Sequence, residues 1–447
     1  MKLSEQHIFK GYWWLPDKPE EKVAGILTYT PGERILLELI GGFKSEDEAL
    51  FGSLDDENQN VPLIYGVDSN AKEISLVSCS RSFSYNFSSE FPITRYTVQM
   101  LVHDKHIKGL DEVCDYTAHI RFPELSYWAH PSAIRQVLHY TAEGKEIESC
   151  TFHLPHFNSS TEIITSVDCD NGVKLSINRC IGYQSGELML KPEIEQFSSL
   201  EIKKPSSGIS IKDIFHEVHK FSQFLSLVTK RNVRPESIYL IDPDIRQDFK
   251  DGSKSYFFPI SFLLVQSPVP NPAKLDCNKF LFRYEDLADK IPELLVKWMS
   301  DTDNLLPIKN HLVDSLVYKP IVGSVDFLQV IQAIEGVWWR FRDDTYKATL
   351  PQKQRKRQTS LKTIILELLS SFSAIPTIAK MEIDVDSVVD SRVYYTHFVD
   401  KAGRPKLQDG WDLYELTKKL RMILLCLVLG FLGLDNDEIE SILAQQR

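Results

Sequence analysis

The chain has 447 residues, of which 43% are hydrophobic and 25% charged, a composition that suits a globular protein of at least two domains. Its net charge of −11 argues against a protein coated in basic surface for duplex DNA, although a local basic site is compatible with it. The seven cysteines are scattered and form no Cys-x-x-Cys pair, which is typical of reduced thiols in a cytoplasmic protein.

The first two hundred residues are predicted to form mainly short strands. A hairpin is predicted around Thr30-Pro31-Gly32-Glu33, where proline and glycine mark a turn between two apolar runs. Short strands at this spacing favour an antiparallel sandwich or barrel. The predicted strands cover residues 23–29, 34–40, 74–79, 94–103, 116–122, 135–140, 146–154, 161–167 and 173–179.

Residues 211–229 switch to the apolar spacing of a helix, and residues 238–241 and 256–266 return to strand character. We therefore expect this helix to be an insertion packed against the same sheet. A proline-rich loop follows at residues 268–272, and the domain boundary is predicted near residue 285. The first predicted domain is thus 1–285, an antiparallel β-rich domain of the sandwich or barrel type.

The second predicted domain, 286–447, is all-α, which makes the fold class α+β. Its clearest helix is 325–342, where apolar residues keep helical spacing throughout. The most hydrophobic run, 422–434, is too short to span a membrane. A buried or dimer-forming helix is favoured there over a helix that lies on a membrane surface. Further helices are predicted over residues 284–299, 361–372, 385–399, 413–432 and 437–444.

Arg392 lies near the centre of an apolar stripe on the predicted helix 385–399. An arginine is permanently charged, so this position calls for an ion pair, a subunit interface or an anionic ligand. Glu335 lies on the apolar stripe of helix 325–342 and is a candidate partner of Arg392; alternatively, Glu335 pairs with Arg340, with Arg342 or with no residue.

His397 follows Arg392 by five positions and is the side chain best suited to move protons near neutral pH. On one straight helix the two side chains would point about 140° apart, so a single helix would make a poor active site. Two such helices meeting across a dimer axis could bring them together. The plain alternative is a core arginine in an ion pair beside an unrelated exposed histidine.

Two pairs of segments carry a resemblance to a known family. The segment 327–335 (FLQVIQAIE), followed by 390–398 (DSRVYYTHF), resembles the HEPN domain of ApeA-type anti-phage proteins. The segments 9–16 (FKGYWWLP) and 23–29 (VAGILTY) are similar to the β-rich domain that precedes HEPN in that family. The resemblance spans nearly the whole chain.

HEPN domains are helical bundles that usually dimerise, and many are metal-independent endoribonucleases with an Arg, four to six residues and a His as their signature. The resemblance implies that Arg392 and His397 are catalytic, with Glu335 and Asp390 in support. Tyr394 and Tyr395 would stack on a base or donate to phosphate, or pack in the core. The family often has a polar residue after the Arg, and the presence of Val393 there puts a supporting hydrogen bond in doubt.

The resemblance thus implies a cytoplasmic anti-phage (abortive infection) endoribonuclease that works without a cofactor as a homodimer or higher homo-oligomer assembled through the HEPN domain. Its partners would be an RNA substrate, with tRNA as one candidate, and a phage-derived trigger bound by the N-terminal domain, with no membrane involved. The alternative is a non-catalytic protein whose β domain binds a ligand and whose helices only dimerise; Val393 favours it.

The chain has a single dense basic run, which is the candidate RNA-binding segment on an otherwise acidic protein. The residues proposed to bind RNA are Lys353, Arg355, Lys356 and Arg357. A solvated loop between helices is the other interpretation.

Three His-x-x-His pairs occur, at residues 103/106, 153/156 and 216/219. None has an obvious third ligand, so no metal site is expected. The sequence also contains no P-loop, no dinucleotide-binding glycine motif and no Gly-x-Ser-x-Gly elbow, which leaves nucleotide hydrolysis and serine hydrolase chemistry without support.

Overall fold

A computed structural model describes residues 1–43, 60–82, 93–129, 134–141, 146–153, 161–185, 192–248, 255–266, 275–300, 305–317 and 323–445. The chain forms two compact units: Met1–His219 with Val233–Lys274, and Lys220–Asn232 with Leu275–Arg447. We call them unit 1 and unit 2. The proline-rich loop predicted at 268–272 lies outside the described residues, and the domain boundary near residue 285 stays a prediction.

Unit 1 is built around a closed antiparallel barrel of six strands. The strands pair in the order β1-β2-β3-β6-β5-β4, and β4 pairs with β1 to complete the ring. Closure leaves these strands no free edge along most of the ring and gives them a common interior. Their bounds are β1 (His7–Trp14), β2 (Val23–Tyr29), β3 (Ile35–Ile40), β4 (Asn60–Asp68), β5 (Glu73–Ser82) and β6 (Ile93–His103).

The barrel interior is apolar because alternate residues of each strand point inward. Leu27 and Tyr29 of β2 and Leu37 of β3 are fully buried. The buried indole of Trp13 lies directly against the backbone of Gly66 in β4, where any side chain would collide with it. A glycine inside this strand is thus required by a close approach of an aromatic ring.

The sheet continues beyond the barrel from β6 in the order β16-β15-β8-β13-β12-β11. Two small antiparallel pairs, β9 with β10 and β7 with β14, complete the strands that the structure describes. A short helix, α1 (Pro123–Trp128), follows β8. The strands are β7 (Val113–Cys114), β8 (Thr117–Arg121), β9 (Arg135–Tyr140), β10 (Ile147–His153), β11 (Thr161–Asp168), β12 (Lys174–Ser185), β13 (Pro192–Lys203), β14 (Ile209–Ser210), β15 (Ser237–Asp248) and β16 (Ser255–Leu264).

Helix α2 (Ile211–Thr229) has the bounds that its apolar spacing predicts. Its first half packs on the sheet, since the ring of Phe215 meets that of Phe262 in β16 at 5.6 Å. Its second half belongs to unit 2, where the Trp298 indole donates to the carbonyl of Lys220 over 2.9 Å. The insertion that the sequence predicted therefore packs on the sheet through its first half.

All the regular secondary-structure elements that the structure describes in unit 2 are helices. Its central helix, α5 (Ser324–Val337), packs against α4, α9 and α10, and continues through a π-helical turn at Trp338–Arg342 into α6. The other helices are α3 (Ile291–Ser300), α4 (Leu306–Val317), α6 (Asp343–Thr349), α7 (Leu361–Ser371), α8 (Pro376–Ala379), α9 (Val385–His397), α10 (Gly410–Phe431) and α11 (Asn436–Ala444).

The most hydrophobic run, 422–434, for which the sequence favours a buried or dimer-forming helix, forms the second half of α10 up to Phe431 and the three residues after it. Ile423, Leu424 and Leu429 are almost fully buried there, which confirms the expectation of a core helix. No helix among the described residues has the length and apolar character needed to cross a bilayer.

Candidate active site

Helix α9 carries the predicted catalytic pair, and polar contacts fix its orientation. It begins at Asp384, whose carboxylate caps the helix by accepting from the backbone N–H of Asp386. Ser391 on its inner face is fully buried, and the Ser391 hydroxyl accepts from the backbone N–H of Gln408 at 3.0 Å. The Gln408 side chain donates to the hydroxyl of Ser387, one turn earlier, at 3.2 Å. The segment before α10 therefore clamps the buried face of α9.

Arg392 stands next to Ser391 and is half-buried, with its guanidinium reaching α5. Its Nη2 lies 3.7 Å from Oε2 of Glu335, so the ion pair considered from the sequence is present in the structure. Of the other arginines considered, Arg342 has its guanidinium over the ring of Phe372. Glu335 thus contacts the guanidinium through Nη2, and Nη1 is directed elsewhere.

His397 is the last residue of α9, and its Nε2 lies 3.5 Å from Nη1 of Arg392. The expectation that the two side chains point apart on one helix is wrong. Five residues advance a helix by about 7.5 Å, a distance that the long, flexible arginine side chain can cover. One chain therefore brings both groups together at the exposed end of the helix.

A guanidinium only donates hydrogen bonds, so this contact can be a hydrogen bond only in the neutral imidazole whose proton is on Nδ1 and whose Nε2 accepts. That neutral form is the one that accepts a proton from a hydroxyl. The arrangement combines a proton acceptor with a fixed positive charge, which suits attack on a phosphate ester.

Asp390 and Tyr395, two of the predicted supporting residues, hold neighbouring backbone in place. The Asp390 carboxylate accepts from Nη1 of Arg404 at 3.3 Å and from the backbone N–H of Lys406 at 3.2 Å. The Tyr395 hydroxyl donates to the carbonyl of Gln408 at 3.2 Å and lies 3.1 Å from Oδ1 of Asp409. Burial and the hydrogen bond to Asp409 raise the pKa of Tyr395 to about 12.

Tyr394, the third supporting candidate, packs its ring edge-on against Tyr395 at 5.0 Å between centroids. The ring of Tyr395 in turn meets that of Phe327 in α5 at 6.4 Å. The two tyrosines thus help to join α9 to α5. Stacking on a base stays a prediction for Tyr394.

The basic run lies in an exposed turn between α6 and α7, and its four proposed RNA-binding residues face solvent. Arg355 differs from the other three, because its guanidinium donates to the carbonyls of Leu350 and Ala348, each at 2.8 Å. Arg355 thus stabilises the turn, while the side chains of Lys353, Lys356 and Arg357 are exposed to solvent on the same turn.

The histidine pairs do not assemble a metal centre in the part of the chain that the structure describes. His106 contacts the carbonyl of Gly66 at 2.9 Å, and Nδ1 of His103 contacts the Asp104 carboxylate at 2.6 Å. No group of three or more ligating side chains is found among the described residues. His156 lies outside them.

Sequence reasoning missed Gln408, Ser387 and Ser391, which orient the helix. Their spacing could have indicated this role, because Ser387 and Ser391 are four residues apart and lie on the same helix face as the buried Val388.

Two family models match the chain. Residues 8–298 match ApeA N-terminal domain 1, and residues 328–438 match the Apea-like HEPN domain. No curated protein and no solved structure shows a significant match. Glu335, Arg392 and His397 all lie within the second matched region.

Proposed function

The chain belongs to the ApeA family, with a C-terminal region that matches its HEPN domain, and on this premise we propose that it is an anti-phage defence protein that cuts RNA. HEPN domains are generally ribonucleases. The observation that carries the proposal is the arrangement of Arg392, held by Glu335 on one side and adjoining His397 on the other.

The proposed reaction is attack of a ribose 2′-hydroxyl on the adjacent phosphorus. Once Nη1 of Arg392 has turned from His397 to the phosphate, Nε2 of His397 accepts the hydroxyl proton while the O2′–P bond forms and the bond from phosphorus to the 5′-oxygen breaks. Arg392 binds the non-bridging oxygens, whose negative charge grows in the transition state. The leaving 5′-oxygen takes up a proton from a general acid, water or the protonated histidine of a facing second copy, and the products are a 2′,3′-cyclic phosphate and a 5′-hydroxyl.

A second copy of the chain would improve this chemistry. A single histidine cannot at the same instant accept one proton and donate another, whereas two HEPN regions facing each other supply one base and one acid. HEPN domains commonly dimerise, and we propose a homodimer in which both Arg392–His397 pairs line one cleft. The cationic turn at 353–357 adds a sequence-independent attraction for the RNA backbone. Unit 1 would then hold cleavage in check until a phage-derived trigger binds.

The test is cleavage of total cellular RNA by the purified full chain and by Arg392→Ala and His397→Ala, with and without a chelator. The proposal expects cyclic-phosphate ends from the wild type, unaffected by the chelator, and none from either variant. Phage challenge of cells that express the same three proteins gives the biological readout. If both variants cut RNA and protect cells as the wild type does, the assignment fails and a binding-only protein is the better description.

A further inference from the structure

Phe398, the residue after His397, exposes 89% of its surface to solvent. A phenyl ring in that state contributes little to folding, because the stabilisation by an aromatic side chain comes from its removal from water. Its position at the end of α9 places it directly beside the proposed catalytic histidine. The Cα atoms of the two residues are about 3.8 Å apart, as for any neighbours in a chain.

The backbone of Phe398 is also in a conformation that a phenylalanine disfavours. Its φ is 51° and its ψ 37°, the left-handed region, and its N–H caps the helix by donating to the carbonyl of Tyr394 at 2.9 Å. Helices commonly end in this way, but glycine is the usual residue because it has no Cβ to be crowded. The cap accounts for the backbone of Phe398 and gives no reason for its side chain.

We propose that the ring of Phe398 is a stacking platform for a nucleobase of the RNA, next to the phosphate that Arg392 binds and the 2′-hydroxyl that His397 deprotonates. This inference rests on the proposed function and sharpens it. Stacking on an aromatic side chain is tolerant of sequence, since every base has a π-face. A base can stack on a protein ring only when it has left its own helix, so the substrate class is RNA with an unpaired nucleotide at the cut site.

The competing role for an exposed aromatic is contact with another protein chain. A ring that serves only as an interface contact would change the oligomeric state when removed. A ring that serves only as a base platform would change the handling of RNA at constant oligomeric state. The same set of variants separates the two.

The experiment compares wild type with Phe398→Gly, Phe398→Leu and Phe398→Trp on a short RNA that is cut at one linkage. The same RNA lacking the base beside that linkage serves as the second substrate. On the intact RNA, Phe398→Gly should lose about 5- to 150-fold in kcat/KM, the worth of one stacked base. Phe398→Leu should lose most of that factor, and Phe398→Trp should retain wild-type cleavage. On the RNA without the base, wild type and Phe398→Gly should cleave equally.

Two controls distinguish the loss of base stacking from a loss of protein stability and from a general effect of removing an exposed aromatic side chain. The melting temperature of Phe398→Gly should not fall, because glycine relieves the left-handed backbone. Trp411→Ala, which removes another exposed aromatic of unit 2, should leave the difference between the two RNAs unchanged.

The inference is overturned if Phe398→Gly cleaves intact RNA as well as wild type, or loses the same factor on both RNAs. It is also overturned if the loss coincides with dissociation of a wild-type oligomer, which assigns Phe398 to an interface. If the proposed ribonuclease function is wrong, the wild type itself will cleave neither RNA. That result would contradict the stacking proposal as well, and it differs from the results that contradict stacking alone.

Discussion

The guanidinium of Arg392 and the carboxylate of Glu335 form an ion pair between α9 and α5, with 3.7 Å between Nη2 and Oε2. Their side chains are 31% and 20% exposed, so the pair is neither fully buried nor freely solvated. Such a pair adds modestly to stability. In the proposed ribonuclease its larger effect would be to orient the guanidinium beside His397, which would make Glu335 a positioning residue.

Glu335→Gln should therefore lower kcat for RNA cleavage by about tenfold, the cost expected when a catalytic side chain loses the partner that orients it. The melting temperature should change little, since a partly exposed pair contributes about 0–1 kcal/mol. Steady-state cleavage and thermal melting of the same preparations check both points.

Glu415→Gln is the matched control, because it removes an ion pair with Lys418 in the same unit. It should leave kcat unchanged, and Glu335→Asp should recover part of the activity. Equal activity of Glu335→Gln and wild type would show that Arg392 needs no partner.

Much of the fold could be predicted because periodicity survives wherever one face of an element is buried. The strand 23–29 and the helix 211–229 have the predicted bounds. Strand β13 was not predicted, since its Glu, Gln and Ser residues mask the alternation and its pairing with β12 and β8 decides its structure. Strand β4 was missed because it contains Pro62 and Gly66, which normally break strands.

Less of the site could be predicted. Glu335 could be predicted as the partner of Arg392 because each is a charged residue on an apolar helix face, and a charge that is removed from water needs a partner. This inference requires no knowledge of the side-chain conformations. The contact with His397 did not follow, since helical angles describe Cβ directions and an arginine side chain extends well beyond its Cβ. Helix α4 was not predicted either, because the buried Lys309 interrupts its apolar spacing with a charged residue. The Lys309 ammonium donates to the carbonyl of Trp298 at 2.9 Å.

Tyr395→Phe should keep RNA cleavage intact and lower stability by about 1 kcal/mol, the net value of a hydrogen bond. The Tyr395 hydroxyl is directed to Gln408 and Asp409, which leaves it no part in binding phosphate. Because the folded state raises the pKa of Tyr395 to about 12, the neutral hydroxyl stabilises the fold below the unfolded pKa of 10.0.

The stability difference between wild type and Tyr395→Phe should therefore be constant up to about pH 10 and shrink as the pH rises towards 12. Denaturant unfolding between pH 8 and pH 11 measures it, with Tyr394→Phe as the neighbouring control. A loss of cleavage in Tyr395→Phe at unchanged stability would instead place this hydroxyl on the substrate.

The exposed cations of the turn at 353–357 should contribute to RNA affinity through charge alone. Replacement of Lys353, Lys356 and Arg357 by Ala should weaken binding, and should reduce the slope of log affinity against log salt by about 0.7 for each phosphate that is no longer neutralised. Filter binding of single-stranded RNA at several salt concentrations measures this slope. Arg355→Ala is the informative comparison, since it loosens the turn as well. An unchanged slope in the triple variant would remove this turn from the RNA path.

Asp343, at the start of α6, holds the two sides of that basic turn together. Its buried carboxylate accepts from the Trp338 indole at 3.1 Å and the Thr359 hydroxyl at 2.7 Å, and lies 2.6 Å from the ammonium of Lys347. Burial alone would raise the pKa of Asp343, but the hydrogen bonds from Lys347, Thr359 and Trp338 outweigh it and hold the pKa below its ordinary value.

Asp343→Ala should accordingly lower the free energy of unfolding by about 1–3 kcal/mol, because it leaves the buried Trp338 indole and the partly exposed Lys347 ammonium and Thr359 hydroxyl without their acceptor. A depressed folded pKa means that this stabilisation is complete above the unfolded value of 3.8 and is lost as the pH falls through the folded pKa. Denaturant unfolding of both proteins from pH 7 down to pH 3 should show a constant difference that narrows only at the acid end. Asp344→Asn, at the exposed neighbouring position, should show no such difference at any pH. A difference that widens on acidification would mean that Asp343 is protonated in the folded protein, contrary to the ion pair with Lys347.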